Sequence, residues 1–380
     1  MKNRSFWIGK ISEAFKKRSI IWLAGVRRAG KTVLCRSLPD VSYYDCELPS
    51  TRRMLEAPES FLKGAPDRLV VLDEVHRLSN PSELLKIAAD HFSTTRIIAT
   101  GSSTLGASAK FRDTLAGRKT QIWLTPMLMQ DMVDFGVPDM DRRFLHGGLP
   151  PFFLDNVPVE AEFQEWLDGY WAKDIQELFR LERRHSFQRF LELLLINSGG
   201  IFEATKYARP CEISRTTVAN YLAVLENTFV VQVLRPFNTY KPAEIVAAPK
   251  VYGFDTGFVC CFRGWNSLRP DDRGPLWEHV VLNELQGRLQ NREIGYWRDK
   301  RGKEVDFIIA RRDDGPVAIE CKWQADGFSA DGIRAFRKFY PQGRSFVVAS
   351  DVQHAYTRQY GDQEICFTGL DELIQLLGGT

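Results

Sequence analysis

The strongest structural signal in this chain is an octapeptide of the form G-x-x-x-x-G-K-T at residues 25–32, which reads Gly-Val-Arg-Arg-Ala-Gly-Lys-Thr. An apolar run at residues 20–24 precedes it, and residues 33–38 after it carry apolar side chains at helical spacing. In a strand, loop and helix of this kind, glycines let backbone N–H groups turn inward around phosphates, and the helix start adds positive potential. The pattern predicts a loop that holds a nucleoside triphosphate.

The fixed positions of this loop have separate tasks. The Lys31 ammonium is expected to reach the β- and γ-phosphates, and the Thr32 hydroxyl is expected to ligate Mg²⁺. The predicted nucleotide-contacting residues are Gly25, Arg28, Ala29, Gly30, Lys31, Thr32, Val33 and Asp73. A glycine-rich turn without a ligand is the alternative, but all four fixed positions and both flanking segments fit the phosphate loop.

A second stretch, Leu-Val-Val-Leu-Asp-Glu at residues 69–74, supports the first. Its continuous apolar run is typical of a strand in a parallel sheet that is covered on both faces. Asp73 at the end of this strand can hold the Mg²⁺ shell, and Glu74 can polarise the water that attacks the terminal phosphate. Together the two stretches predict hydrolysis as well as binding.

Further strands are indicated at residues 41–45 and 96–100, and residues 50–64 and 81–89 between them show helical patterns. This alternation predicts a doubly wound parallel sheet, whose ligands lie at the carboxyl ends of the strands. Ser102 or Ser103, after the last of these strands, can sense the γ-phosphate, although a simple turn is equally compatible with the sequence. Arg118, on a later loop, can act as a finger that stabilises phosphoryl charge, often in a neighbouring subunit.

Composition excludes several classes of protein. The net charge of +3 does not demand nucleic acid as a partner. The seven cysteines show no C-x-x-C and no metal-type spacing with histidine, which is typical of a reducing compartment. No apolar segment approaches the roughly 20 residues that span a bilayer, and the amino terminus lacks a signal-peptide pattern. We therefore expect a cytoplasmic protein without membrane association.

Residues 187–235 show three helical patterns followed by a strand pattern, which predicts a winged helix-turn-helix. Ser214 can cap the third helix. As a DNA reader, this helix would present Arg215, Thr216, Thr217 and Asn220 to the major groove. The alternative is a packing role between domains or subunits, which we favour because phosphate contacts normally need several Lys or Arg residues.

The last part of the chain predicts a hairpin with acidic and basic side chains. Residues 304–309 and 317–323 alternate polar and apolar positions, which puts Glu320 and Lys322 on one face of a strand. Pairing the strands can bring Asp306 beside them. Asp306 and Glu320 would hold Mg²⁺ and Lys322 would orient water for phosphodiester cleavage. A helix is predicted after Gly274-Pro275 and through about residue 289, and one of its glutamates, Glu278 rather than Glu284, would complete the metal shell. A hairpin with a solvent-facing salt bridge is the alternative.

Several of these stretches resemble the AAA-type ATPases that prokaryotes join to a carboxy-terminal DUF4143 domain. The matching segments are residues 25–32, 72–74, 100–103, 115–118, 147–150, 173–175 and 249–257. The resemblance covers nearly the whole chain. It implies an AAA+ core that uses ATP and Mg²⁺, with Lys31, Thr32, Asp73, Glu74, a serine sensor at 102 or 103 and the Arg118 finger. Residues 275–350 also resemble the PD-(D/E)xK nuclease superfamily, with Val305 where the name motif has proline.

The expected fold is α/β, with a P-loop AAA+ parallel-sheet core at residues 1–155, a helical linker and winged helix at 156–250, and a nuclease-like domain of the DUF4143 type at 251–380. We expect an ATP-hydrolysing homo-oligomer, a ring such as a hexamer, that binds or cleaves DNA through its last domain. The alternative is a nucleotide-controlled assembly or signalling switch whose nuclease-like domain is inactive and serves as an interaction module.

Overall fold

The structure is a computed structural model, which describes residues 3–65, 69–102, 115–155, 160–179, 181–237, 248–311 and 314–378. The chain divides into two compact units that alternate along the sequence. Residues 1–142, 147–184 and 220–230 belong to the first unit, and residues 143–146, 185–219 and 231–380 belong to the second. The three consecutive domains expected from the sequence stay a prediction.

A five-stranded parallel sheet forms the core of the first unit, as the alternation of strands and helices predicts. Its strands are β1 (Ile20–Ala24), β2 (Val41–Asp45), β3 (Leu69–Asp73), β4 (Arg96–Gly101) and β5 (Lys119–Trp123). Their order across the sheet is β2-β3-β4-β1-β5. All five residues of β1 are buried, whereas those of the edge strand β2 are half-buried, because helices cover both faces of the middle strands.

Short helices connect and cover these strands. They are α1 (Ser5–Phe15), α2 (Lys31–Arg36), α3 (Pro49–Met54), α4 (Pro58–Lys63), α5 (Pro81–His91), α6 (Met129–Asp134), α7 (Met140–Leu145), α8 (Pro150–Leu154), α9 (Glu160–Tyr170) and α10 (Gln176–Phe179). Residues 50–64, which the sequence predicts as one helix, form two. Pro58 begins the second, because proline fits the first turn of a helix and disrupts its interior.

A mixed six-stranded sheet forms the larger layer of the second unit. Its strands are β9 (Ile294–Arg298), β10 (Glu304–Ile309), β11 (Val317–Lys322), β12 (Ser345–Ala349), β13 (Tyr356–Tyr360) and β14 (Gln363–Thr368). Their order is β13-β14-β12-β11-β10-β9. Strands β9, β10 and β11 pair antiparallel, and β12 joins β11 in parallel. Five of the six residues of β10 are buried, so this strand is covered more fully than its sequence alternation indicates.

Helices of the second half of the chain are α11 (Arg184–Ile196), α12 (Ala204–Ala208), α13 (Arg215–Asn227), α14 (Thr256–Arg263), α15 (Pro270–Leu289), α16 (Asp331–Phe339) and α17 (Leu370–Leu376). Helix α15 packs against β11, and α16 packs against β10. Helix α15 begins before Gly274-Pro275, where the sequence suggested its start, because Pro270 occupies its first turn and Asp272 accepts a hydrogen bond from the Arg269 backbone.

A small sheet of β6 (Gly200–Ile201), β7 (Val231–Leu234) and β8 (Lys250–Gly253), ordered β6-β8-β7, accompanies these helices. The helices α11, α12 and α13 and the strand β7 after them follow the sequence prediction, whereas the short strand β6 lies between α11 and α12. The Ser214 hydroxyl accepts a 3.1 Å hydrogen bond from the Thr217 N–H at the start of α13. The winged-helix interpretation stays a prediction. Among the described residues, no helix combines the length and the apolar content needed to cross a bilayer.

Candidate functional site

The loop between β1 and α2 has the backbone that its glycines allow. Gly30 has a φ of +95°, in the left-handed region that favours glycine, and immediately precedes α2. A Cβ at Gly25 would collide with the Leu124 carbonyl group, so the loop approaches the chain after β5 closely. The loop therefore presents its backbone N–H groups and the start of α2 at the carboxyl edge of the parallel sheet.

Lys31 and Thr32 follow directly. The Lys31 ammonium is buried and donates hydrogen bonds to the carbonyl oxygens of Gly25 at 2.8 Å and Val26 at 3.1 Å. The Thr32 hydroxyl donates a 2.7 Å hydrogen bond to Oδ2 of Asp73 at the end of β3. A hydroxyl and a carboxylate are oxygen ligands of the kind that Mg²⁺ takes together with substrate phosphates, so these residues fit the predicted cofactor.

Two residues that the sequence analysis did not assign to the site orient Asp73. The Thr100 hydroxyl donates to Oδ1 of Asp73 and also accepts a 3.0 Å hydrogen bond from the backbone N–H of Glu74. The Tyr43 hydroxyl donates to Oδ2 of Asp73, and burial together with this bond raises the Tyr43 pKa. Both residues lie near the carboxyl ends of the strands beside β3, which is the signal that could have identified them.

Glu74 has an unusual backbone and a perturbed carboxyl group. Its φ is +52°, which turns the chain sharply after β3. Burial raises the pKa of Glu74 to about 7, with Lys31 opposing the shift and Asp73 adding to it. Its Oε2 atom lies 3.3 Å from His76 Nδ1 and has no hydrogen-bond partner among the residues that the structure describes. A carboxyl with a pKa near neutrality can accept a proton from water at physiological pH.

These groups face one cavity of about 750 Å³, within the range of roughly 300–1,000 Å³ that is typical of small-molecule sites. Among the described residues, six cationic side chains line it: Arg4, Arg27, Arg28, Lys31, Arg36 and Lys173. Four acidic side chains of the same described set join them: Asp45, Glu47, Asp73 and Glu74. Apolar atoms come from Val33, Leu34, Phe135, Pro150, Pro151 and Leu154. The cavity thus combines a positively charged phosphate region with an apolar wall.

The remaining loop positions are tied to other parts of the first unit. The Ala29 carbonyl accepts a 2.8 Å hydrogen bond from the Arg4 guanidinium, which is itself buried. Arg28 pairs with Glu165 of α9 at 2.7 Å, so its side chain already has a partner. Val33 is about half exposed and lines the cavity.

The predicted sensor residue Ser102 and the predicted finger, Arg118, are not among the described residues that line the cavity. Ser102 is buried just after β4 but does not line the cavity, and Ser103 lies outside the described residues. Arg118 precedes β5 and pairs with Asp90 at 2.7 Å. Because β5 runs parallel to β1, with Lys119 beside Ile20, Arg118 lies at the amino edge of the sheet, opposite the edge that carries the cavity. It does not line the cavity of its own chain.

The second unit holds the other predicted group. On β11, the Lys322 ammonium donates a 3.0 Å hydrogen bond to Oε1 of Glu320. Asp306 on β10 accepts a 2.8 Å hydrogen bond from the Cys321 N–H, because Phe307 beside it pairs with Ile319. Glu278 on α15 accepts a 3.0 Å hydrogen bond from the Tyr252 hydroxyl. The four predicted residues are therefore brought to neighbouring positions by one helix and two strands.

Glu278, Asp306, Glu320 and Lys322 are called the acid–lysine group below, and the pKa shifts of Glu278, Glu320 and Lys322 show that the charges of the group interact. Burial, with the charge of Asp306 adding to it, raises the pKa of both Glu278 and Glu320. Lys250, which the sequence analysis did not single out, is buried and paired with Glu304, and the charges of Asp306 and Glu278 raise its pKa against the effect of burial. Two ammonium groups thus balance this set of carboxylates.

Metal binding by this group stays a prediction. Among the residues that the structure describes, no three His, Cys, Asp or Glu side chains are grouped so that they could hold a metal ion. The Oε2 atom of Glu320 is nevertheless buried with no hydrogen-bond partner in the described part of the chain, which is uncommon for a carboxylate and leaves one ligand atom available.

Three domain families match the sequence in succession. An AAA domain matches residues 17–133, a domain of unknown function called DUF8612 matches residues 137–269, and DUF4143, also of unknown function, matches residues 273–368. The DUF8612 match covers the middle of the chain, including the segments 147–150, 173–175 and 249–257 that the sequence analysis had related to the DUF4143 proteins.

Uncharacterized proteins of Mycobacterium tuberculosis and Mycobacterium bovis are 27% identical to this chain over 313 residues, which is 79% of this chain and 69% of each relative. Among solved structures, a Walker-type ATPase of Pyrococcus abyssi is 14% identical, with a TM-score of 0.44 over 69% of this chain and 96% of that one. The DNA clamp loader delta protein of Bacillus subtilis is 13% identical, with a TM-score of 0.28 over 58% of this chain and 87% of that one. The predicted family is confirmed: this chain joins a P-loop AAA domain to a carboxy-terminal DUF4143 domain.

Proposed function

We propose that this protein binds ATP with Mg²⁺ in the cavity of its first unit and hydrolyses it. The observation that carries the proposal is the meeting of the Lys31–Thr32 pair with Asp73 and Glu74 at one cavity, although Thr32 and Asp73 are 41 residues apart in the chain. Such a meeting of lysine, hydroxyl and carboxylates at a helix start is what phosphoryl transfer requires.

Each residue has a role in this proposal. The backbone N–H groups of the loop and Lys31 hold the phosphates, and Thr32 and Asp73 hold the Mg²⁺, which neutralises charge on the phosphate oxygens. A water oxygen attacks the terminal phosphorus while the bond to the β–γ bridging oxygen breaks and ADP leaves with the electron pair. Glu74 accepts a proton from that water and returns it to phosphate or solvent.

The proposal is tested with the full-length protein, Lys31→Ala, Glu74→Gln and Lys63→Ala as a control. Lys63 is an exposed lysine of the same unit, paired with Glu59 and absent from the cavity. We expect Lys31→Ala to lose binding of a fluorescent ATP analogue. Glu74→Gln is expected to keep binding but to release phosphate about 100-fold more slowly, in line with the loss of a general base. Unchanged affinity in Lys31→Ala, or a wild-type protein without affinity for adenine nucleotides, contradicts the proposal.

We further propose that the protein works as a homo-oligomer, because Arg118 lies at the sheet edge opposite its own cavity and would act as a finger in the cavity of another copy. A closed ring such as a hexamer supplies every site with such a neighbour. Arg118→Ala and Glu74→Gln are each expected to lose nearly all of the activity. Mixing the two variants is expected to restore part of the ATP hydrolysis. In a mixed oligomer, some cavities combine the intact Glu74 of an Arg118→Ala subunit with the intact Arg118 of a neighbouring Glu74→Gln subunit. The homo-oligomer is contradicted by two results together. The mixture is no more active than either variant alone, and light scattering gives the protein the same mass in ADP and in ATP.

A second candidate function is Mg²⁺-dependent DNA cleavage by the acid–lysine group of the second unit. The observation that favours it is the position of Asp306 beside the Glu320–Lys322 pair, where one buried Glu320 oxygen has no partner among the described residues. Wild type, Asp306→Ala and the control Asp326→Ala, an exposed carboxylate of the same unit, are incubated with DNA and RNA in Mg²⁺ or Mn²⁺. Cleavage that only Asp306→Ala loses supports this function. If the wild-type protein neither cleaves nor binds these nucleic acids, DNA cleavage is contradicted. The alternative is then a nucleotide-controlled assembly or signalling switch, in which this domain is an interaction module.

A further inference from the structure

A single π-helical turn, Trp171–Ile175, interrupts the helices between α9 and α10. Such wide turns inside α-helices are frequent at functional sites, because they redirect side chains that a regular helix would space differently. Here Trp171, Asp174 and Ile175 are buried, whereas Lys173 is exposed and lines the nucleotide cavity. The turn therefore delivers one ammonium group to the cavity from a segment well after the AAA-domain match.

The neighbours of Lys173 show which end of the cavity it occupies. Its Nζ atom lies 3.4 Å from Oε1 of Glu47, and the same oxygen lies 3.4 Å from the Arg77 guanidinium. Glu47 lies two residues after β2, and Arg77 lies three residues after Glu74. Because β2 and β3 are adjacent, with Asp45 beside Asp73, Lys173 lies at the end of the cavity that holds the two catalytic carboxylates.

The residue beside Lys173 anchors the turn to the phosphate loop. Asp174 is buried, and its Oδ2 lies 3.7 Å from the Arg27 guanidinium. The Arg27 carbonyl in turn accepts a 3.2 Å hydrogen bond from the Trp166 indole of α9. The charge of Asp174 also contributes to the raised pKa of Glu74. The loop, the turn and Glu74 thus form one connected set within the first unit.

We propose that Lys173 contacts the terminal phosphate of the bound triphosphate and stabilises the charge that this phosphate carries during hydrolysis. The proposal rests on the ATPase function proposed above. The pair with Glu47 is easily exchanged, because both side chains are more than 40% exposed and such pairs contribute little to stability. A triphosphate brings more negative charge to the ammonium than one carboxylate does, so Lys173 moves from Glu47 to the phosphate. ADP lacks that phosphate and leaves the pair with Glu47 intact.

The test compares wild type, Lys173→Ala, Lys173→Arg, Glu47→Gln and the control Lys63→Ala. Affinities are measured for a non-hydrolysable ATP analogue and for ADP, together with phosphate release. For Lys173→Ala we expect hydrolysis to fall about tenfold or more and the analogue to bind at least about fivefold more weakly, with ADP affinity changed less than about twofold. Lys173→Arg is expected to keep part of the activity, and Lys63→Ala all of it.

Glu47→Gln separates a phosphate contact from a structural pair. If Lys173 serves the phosphate, removing its competitor leaves the analogue bound as well as before or more tightly. Equal losses in Glu47→Gln and Lys173→Ala, or equal effects of Lys173→Ala on ATP analogue and ADP, overturn the proposal. Wild-type activity in a Lys173→Ala protein with an unchanged circular dichroism spectrum also overturns it. A wild-type protein that binds no nucleotide contradicts instead the ATPase function on which the proposal rests.

Discussion

The hydroxyl of Thr32 donates a 2.7 Å hydrogen bond to Oδ2 of Asp73, which joins the start of α2 to the carboxyl end of β3. Thr100 on β4 donates to the other oxygen of the same carboxylate, and Tyr43 on β2 donates to Oδ2 as well. Asp73 is therefore held from two strands and a helix before any ligand binds. Such preorganisation is how a site avoids reorganising when charge develops during a reaction.

Thr100→Val tests whether this orientation matters for hydrolysis. The substitution removes a donor to Asp73 and the acceptor of the Glu74 N–H, and we expect it to lower the free energy of unfolding by about 1–3 kcal/mol. ATP hydrolysis is also expected to slow. Thr95→Val is the matched control, because Thr95 is equally buried and its hydroxyl bonds only the Ala65 carbonyl among the contacts described. Chemical unfolding and phosphate release measure both, and equal hydrolysis rates in the two variants would contradict the role of Thr100.

The pH dependence of hydrolysis follows from Glu74. Burial raises its pKa to about 7, and only the carboxylate can accept a proton from water. We expect the rate at saturating ATP to rise with pH through about 7 and then level off. The sign for stability is opposite: between its ordinary value of 4.5 and about 7, the folded state holds a proton that the unfolded state has lost, so stability falls as pH rises. Unfolding curves at pH 5 and pH 8 for wild type and Glu74→Gln measure this, and the variant is expected to show a smaller fall.

The buried pair of Arg4 and Asp131 is expected to be essential for the phosphate loop. Two nitrogens of Arg4 bond the two oxygens of Asp131 at 3.0 and 2.6 Å, and a third bonds the Ala29 carbonyl. Asp131→Asn leaves a buried guanidinium without a counter-charge, which is expected to lower the free energy of unfolding by about 3–5 kcal/mol. Nucleotide affinity is expected to fall with it, since Arg4, which bonds the Ala29 carbonyl, loses the carboxylate that holds it in place.

Asp168→Asn is the control for that change, because the Asp168–Arg184 pair in the same unit is about half exposed on both sides. An exposed pair of this kind contributes about 0–1 kcal/mol. Urea unfolding and analogue binding are measured for both variants. Equal stabilities of Asp131→Asn and Asp168→Asn would refute the special role of the buried pair.

Lys250 is expected to hold the acid–lysine group of the second unit together. Lys250→Met leaves Glu304, Glu278 and Asp306 without the buried ammonium, and we expect a loss of about 3–5 kcal/mol in the free energy of unfolding at pH 8. The loss is expected to be smaller at pH 5, because Glu278, whose pKa is raised by burial, is then largely protonated. Lys303→Met, which removes an exposed pair with Asp331, is the control and is expected to change little at either pH. A loss that is the same at both pH values would show that packing, not charge, explains the effect.

Local sequence patterns predicted much of the fold of this protein. The phosphate loop, the apolar strand that ends in Asp73 and the alternation of strands and helices predicted the parallel sheet, and the resemblance to a known family implied the AAA and DUF4143 domains. These predictions are confirmed. They succeed because each depends on residues that are close in sequence: glycines at a turn, an apolar run, a helix start. The division of residues 50–64 at Pro58 and the early start of α15 show where such patterns leave the boundaries open.

Long-range neighbours could not be predicted in this way. Tyr43, Thr100, Arg4 and Lys173 come from four separate segments, and local sequence does not show that their side chains meet at one nucleotide site. They meet because the strand order β2-β3-β4-β1-β5 differs from the order along the chain, and because one π-helical turn points Lys173 into the cavity. Tertiary structure can also keep a predicted residue out of a site. The parallel pairing of β5 with β1 puts Arg118 at the edge of the sheet away from the phosphate loop. Sheet order and strand direction arise from packing between distant segments, so they are properties of the folded chain.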